Sequence, residues 1–393
     1  MNIRHLDLRL STFGYLCCGI LLSTLLSAAP PNDKGKPPKD DPPPSSGGPV
    51  SYRAVVIPNP YPADLDVRSI NAWGEVCGDF TYDGLIGGYT ASEAFYWDGR
   101  DALTSVADPI TLNELVDVLS PGSRDGWLIT HAEDINDLGQ TCGWTFKDGQ
   151  WSPYLFDPNA VAPASPFIVL THPTGLENAE LGALSLNNSG DMVVQALKSS
   201  GEYFLYSTTT QTWTPLQTPV SKRFDSLSNR DPVTNTVYVI GGPGRMLIDP
   251  DTGQVFPSAD VGGISINDYG TMVGTMEGSK GVRTAVYEYT DSLEILKNGR
   301  KDLDGRAPDN NNSGDISMHS PNRLFTRDHG LLDVNSLLDP VDAAIFPEGV
   351  PGSIWAISER TEVGFPQLLL HRHSIDAEPY REGVLLIPQP PSN

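Results

Sequence analysis

A short string built on asparagine and glycine recurs along this chain and limits its fold more than any other feature. Ile70-Asn71-Ala72-Trp73-Gly74 returns as Ile135-Asn136-Asp137-Leu138-Gly139, as Leu186-Asn187-Asn188-Ser189-Gly190 and as Ile266-Asn267-Asp268-Tyr269-Gly270. A further copy, Asn311-Asn312-Ser313-Gly314, has lost the apolar residue ahead of its asparagine. Each copy leads into a strand-like run, such as Glu75-Val76-Cys77-Gly78 or Gln140-Thr141-Cys142-Gly143. The pattern predicts a tight turn between antiparallel strands. Asn tolerates left-handed backbone angles and can bond its own backbone, while Gly takes positive φ without a steric penalty. Apolar residues on either side then point to the packed face.

A second element follows each turn, as in Ala94-Phe95-Tyr96-Trp97-Asp98, Pro153-Tyr154-Leu155-Phe156-Asp157 and Arg245-Met246-Leu247-Ile248-Asp249. The last of these points back to an eroded turn at Ser228, and Leu368-Leu369-Leu370 points back to another at Ser358. Taking Asn71, Asn136, Asn187, Ser228, Asn267, Asn311 and Ser358 as equivalent gives spacings of 65, 51, 41, 39, 44 and 47 residues. That period fits four-stranded blades, which cannot bury their faces alone but can in a ring. The expected fold is all-β, a β-propeller of seven blades with about four antiparallel strands each; six is the alternative count, because units four and seven are eroded. Insertions are expected at residues 82–92 and 108–125. Two segments, 52–57 and 383–387, compete for the slot that closes the ring.

The flanks read differently. Arg4 and Arg9 precede a short apolar run over 13–26 and the small residues Ser27, Ala28 and Ala29, so residues 1–29 have the layout of a signal peptide. Cys17 and Cys18 lie inside the apolar run, which argues against a lipid anchor. Residues 30–49, rich in Pro with Lys, Asp, Ser and Gly, read as a disordered spacer. The rest, 50–393, is expected to be a single repeat domain. No other stretch is apolar enough to cross a membrane. The net charge of -23 argues against nucleic acid as a partner.

Ser69-Ile70-Asn71 with Gly74 and Gly78, followed by Ala94-Phe95-Tyr96-Trp97-Asp98-Gly99, resembles the HAF extracellular repeat, with Glu93 where that family's eponymous triplet has His. The resemblance covers roughly residues 52–373 and rests mainly on the turn motif. It implies an exported bacterial repeat protein and supplies no catalytic residues.

Candidate sites are few. Asp309, Asn311, Ser313 and Asp315 have the oxygen spacing of a calcium loop, but Ser320 stands where a bidentate Glu is wanted. Cys77 and Cys142 share one repeat position and read as buried apolar side chains, or as an inter-blade disulfide if their Cα atoms lie within about 7 Å. His371 and His373 fall on one strand face. Trp97, Trp144, Trp151 and Trp213 read as blade packing rather than a sugar platform. His131 and Asp134 are too isolated to be named an acid–base pair. No nucleophile elbow, phosphate loop or metal triad is present in the sequence. The reading is an exported, monomeric, non-catalytic binding or surface-interaction propeller, without a cofactor, for a protein or glycan ligand. The alternatives are a polysaccharide hydrolase or lyase and a structural envelope or matrix component.

Overall fold

The computed structural model describes residues 50–161, 164–198, 202–216, 224–241, 244–259, 265–278, 281–289, 295–296, 306–319, 322–346, 352–373 and 381–390. The signal and spacer segments, 1–29 and 30–49, lie outside the described residues. Among the described residues, seven antiparallel sheets of four strands follow one another along the chain. Each Asn-turn unit is one sheet, so both eroded copies are blades in their own right. Blade one comprises Asp64–Ile70, Glu75–Ile86, Tyr89–Asp98 and Ile110–Thr111; blade four, with its turn at Ser228, starts at Phe224–Leu227.

The ring closes in blade seven. Ser353–Arg360, Pro366–His373 and Arg381–Gln389 supply three strands, and the first strand, Ser51–Val56, pairs antiparallel with Arg381–Gln389 as the fourth. The two segments expected to compete for one slot therefore occupy adjacent slots. Tyr52 locks the closure: its side chain is fully buried and its hydroxyl donates to the Pro366 carbonyl at 2.9 Å. Asp342, in the first turn of a short helix at Pro340–Ile345, accepts from Ala54 N–H and Arg53 Nε, each at 2.8 Å.

Apolar cores lie between successive sheets. Val67, Val76 and Phe95 of blade one meet Leu369 and Leu385 of blade seven, while Cys77, Ala132 and Tyr154 join blade one to blade two. The inner strands approach closely where glycine follows the cysteine position. A Cβ on Gly78 would stand 2.1 Å from the Asp66 carbonyl oxygen, and one on Gly143 would stand 1.9 Å from that of His131. No side chain fits there, which explains the Cys-Gly pairs of the first two units.

Both insertions lie at the face away from the Asn turns. Residues 82–92 lengthen the hairpin of blade one, whose tip carries Tyr89 onto the edges of Trp144 and Trp151. The second insertion forms the helix Leu112–Leu119, capped by Thr111, which buries Leu112 and Val116 between blades one and two. Among the described residues no helix is long and apolar enough to cross a membrane.

Candidate functional site

The turns themselves build the site. In the intact copies the asparagine side chain acts through its amide rather than through a left-handed backbone; positive φ belongs to the glycines, +85° at Gly74 and +76° at Gly139. Asn71 Oδ1 accepts from the N–H groups of Trp73 and Glu75, both at 3.0 Å, and Asn187 repeats this with Ser189 and Asp191. The Nδ2 group then reaches the next blade. Asn71 donates to the Asn136 carbonyl, Asn136 to that of Asn187, and Asn187 to that of Ser228, at 2.9–3.1 Å. Asn267 and Asn311 continue the series to Asn311 and Ser358.

Ser228 and Ser358 cannot extend this ladder, because each hydroxyl donates to the carbonyl of its own successor. Two residues beyond each serine stands an arginine. Arg230 grips the fully buried Asp191 of blade three with two bonds of 2.6 and 2.7 Å, and Arg360 grips the fully buried Asp315 of blade six with the same two lengths. These two turns send no amide bond forward to the next blade; a bidentate ion pair instead reinforces the junction behind them, where the preceding asparagine already reaches the serine carbonyl.

One residue after each asparagine runs a second ring. Ala72 N–H donates to Asp137, Asp137 N–H to Asn188, and Asn188 N–H to Asn229, at 2.7–2.9 Å. Asn229 N–H then donates to Asp268, Asp268 N–H to Asn312, and Asn312 N–H to Glu359, at 2.7–2.8 Å. The chain of bonds stops at Ala72, which has no side chain to return one to blade seven. Two residues before the asparagines, Asp134 bridges the Ser69 and Ser185 hydroxyls, and Asp309 bridges the Ser265 hydroxyl and the Ile357 N–H.

These rings enclose a cavity of about 200 Å³ on the turn face. Among the described residues its walls present five carboxylates, Asp134, Asp137, Asp268, Asp309 and Glu359, and no Arg, Lys or His. Burial pushes Asp309 up to about 6 against the lowering bonds from Ser265, Ile357 and Asn310, and it raises Asp134 as well. Burial pushes Glu359 up to about 7, opposed by the Asn312 N–H and reinforced by the fields of Asp268, Asp137 and Asp315. The folded protein therefore holds a proton on Glu359 that the unfolded chain, with an ordinary value of 4.5, releases at lower pH. Stability from this group falls as pH rises through that interval. Glu359→Gln keeps an acceptor for Asn312 and removes the titration, so its Tm advantage over wild type is expected to be larger at pH 8 than at pH 5. Equal differences at the two pH values would contradict this assignment.

The residues singled out in the sequence are dispersed by the fold. Asp309 belongs to the cavity wall, Asn311 to the inter-blade ladder and Asp315 to Arg360, so the oxygens with calcium-loop spacing serve different partners; Ser313 sits half-buried on the turn between them. Among the described residues no three His, Cys, Asp or Glu side chains stand close enough together to hold a metal ion. Cys77 and Cys142 are free buried thiols in successive inter-blade cores rather than a disulfide. His371 lies 3.3 Å from Asp66, and the His373 side chain lies outside the described residues. Trp97 and Trp151 are core residues, and Trp213 donates to the Thr171 carbonyl. His131 stacks on Trp144 at 4.5 Å, and burial lowers it to about 4. Sequence reasoning missed the ring one residue beyond each asparagine and the two arginines. The signal was there: that position is Asp, Asn or Glu in every unit but the first.

No protein-family model matches the chain, and no curated protein matches it. Among solved structures it aligns with a chain described as the extracellular domain of a hybrid two-component system from B. thetaiotaomicron. The alignment has 12% identity and a TM-score of 0.41, and it covers 85% of this chain and 39% of that one. The chain thus spans well under half of that protein's length, and the likeness carries no argument about ligand or role.

Proposed function

We propose that this chain is an exported, non-catalytic binding propeller whose ligand enters the axial cavity from the Asn-turn face. The observation that carries this reading is how the cavity's carboxylates are employed. Asp134 accepts four hydrogen bonds and Asp309 accepts three, all from the protein itself. Asp137 and Asp268 are bonded at both oxygens as well. A general acid or base needs an oxygen free to meet the proton it transfers. These four of the five carboxylates instead brace neighbouring blades around a polar pocket, which suits binding, and Glu359 alone keeps an oxygen without a hydrogen bond among the described residues. The layout of residues 1–29 and the HAF resemblance support export.

Ser226 lines the cavity, and among the described residues its hydroxyl makes only a long bond, 3.4 Å, accepted from Ile266 N–H. Ser226→Phe is therefore a plug that leaves the ladder intact. In a small-molecule thermal-shift screen, compounds that stabilise the wild type are expected to leave this variant unchanged. A ligand at 100 times its Kd adds about 2.7 kcal/mol to stability, well within detection. Hits that stabilise both proteins equally would place binding elsewhere. Release of new reducing ends from polysaccharide by the wild type would favour the hydrolase or lyase reading.

A further inference from the structure

We propose that the cavity takes a small organic ammonium ion carrying at least two separated N–H donor groups, seated between Asn310 of blade six and Glu359 of blade seven. This rests on the reading of the cavity as the binding site. Asn310 supplies the first reason. It occupies the position just before the turn asparagine, where other units have Ile70, Ile135, Leu186, Leu227, Ile266 and Ile357. Its residue is only 6% exposed, it lines the cavity, and its Nδ2 donates to the Thr271 carbonyl of blade five, while its Oδ1 has no partner among the described residues. A buried acceptor without a donor is costly, and its placement at a cavity wall calls for a ligand that donates.

The second reason is charge. Among the described residues five carboxylates and no basic side chain line the cavity, so a cation is favoured over a neutral donor. Glu359 is the least committed of the five: Oε1 accepts from Asn312 N–H, and no hydrogen bond to its other oxygen is made among the described residues. The spacing of the carboxylates decides the kind of cation. They do not cluster tightly enough to chelate a metal ion, so a cation that reaches several of them must be extended. A volume of about 200 Å³ holds roughly seven waters at about 30 Å³ each, the size of a diamine.

The third reason is the rim. Trp73 and Tyr269, one residue beyond the second ring on the same turn face, are 61% and 76% exposed. Exposed aromatic faces on the same turns as the acidic side chains suit an ammonium ion through cation–π attraction. Trp73 is held by a bond from its Nε1 to the Asp137 carbonyl at 2.8 Å, so its ring is pre-positioned.

The test is calorimetric titration of the full chain with 1,4-diaminobutane at low ionic strength and about pH 8.5, above the value of about 7 to which burial pushes Glu359, so that this carboxylate is ionised, with 1,4-butanediol and calcium chloride as comparison probes. One diamine site per chain is expected, with the diol at least tenfold weaker and calcium unable to displace the diamine at equal concentration. Asn310→Leu introduces the residue found at the equivalent positions 186 and 227, so it is expected to melt at or above the wild-type temperature while binding the diamine at least tenfold more weakly. Glu359→Gln is expected to weaken the diamine by a similar factor and leave the diol unchanged. Equal affinity for diol and diamine, displacement by calcium, or undiminished binding in Asn310→Leu would overturn the proposal. If the diamine gives no heat while other compounds stabilise the wild type but not Ser226→Phe, the ammonium assignment fails and the cavity reading survives. If no compound distinguishes those two proteins, the cavity reading itself fails.

Discussion

Arg230→Met is expected to cost the domain about 3–5 kcal/mol, the usual penalty for removing one partner of a buried ion pair. Asp191 has no exposed side-chain surface, and with Arg230 gone only the Asn187 amide, at 3.0 Å, remains among the described residues to donate to its carboxylate. The same arginine also bonds Ser207 of blade three and, within its own blade, Asp251 and Asn235, so one substitution removes several bonds at this junction and leaves those of Asn187 and Asn188. The double variant Arg230→Met with Asp191→Asn removes the uncompensated charge and keeps an acceptor for Asn187. It is expected to recover more than half of the loss, because a buried pair replaced at both ends is often close to neutral. Denaturant titration of the three proteins at pH 7 measures this directly. A single-variant loss below about 1 kcal/mol would mean that the pair behaves as an exposed surface bridge.

Tyr52→Ala is expected to destabilise by a comparable amount, about 3–5 kcal/mol, as for other large buried aromatics cut to alanine. The ring lies in the core of blade seven with Leu324, Leu368 and Leu386, and its hydroxyl reaches across the sheet to the Pro366 carbonyl. Tyr52→Phe loses only that bond, worth about 1 kcal/mol. The contrast between the two variants separates packing from hydrogen bonding at the closure. It also tests whether the first strand belongs to blade seven: if Ser51–Val56 did not pair with Arg381–Gln389, alanine would be little worse than phenylalanine.

Much of the fold could be read from spacing. The turn asparagines mark one blade each, and the serines at 228 and 358 could be placed because the period demanded a turn where the motif had eroded. Closure was not legible, since the pairing of Arg53 with Ile387 joins strands from opposite ends of the chain and leaves no local signal. Neither were the ion pairs of the serine turns, because an arginine's reach of one blade back depends on the curvature of the ring. The calcium-like string at 309–315 misled for a physical reason. Alternating oxygen residues ahead of a glycine also build an Asn turn, in which Asn311 Oδ1 is taken by Asp315 N–H at 2.9 Å. The cavity was hidden in plain offsets: two residues before and one after each asparagine, positions that look like ordinary polar turn residues until seven copies are brought around one axis.

The measurement that bears most directly on the central claim is a crystal structure of the protein soaked with 1,4-diaminobutane. Density inside the ring, within hydrogen-bond distance of Asn310 Oδ1 and Glu359, is the expected result. An empty cavity, with the ligand instead on the opposite face beside the 82–92 hairpin, would contradict the claim that this propeller binds through its axis.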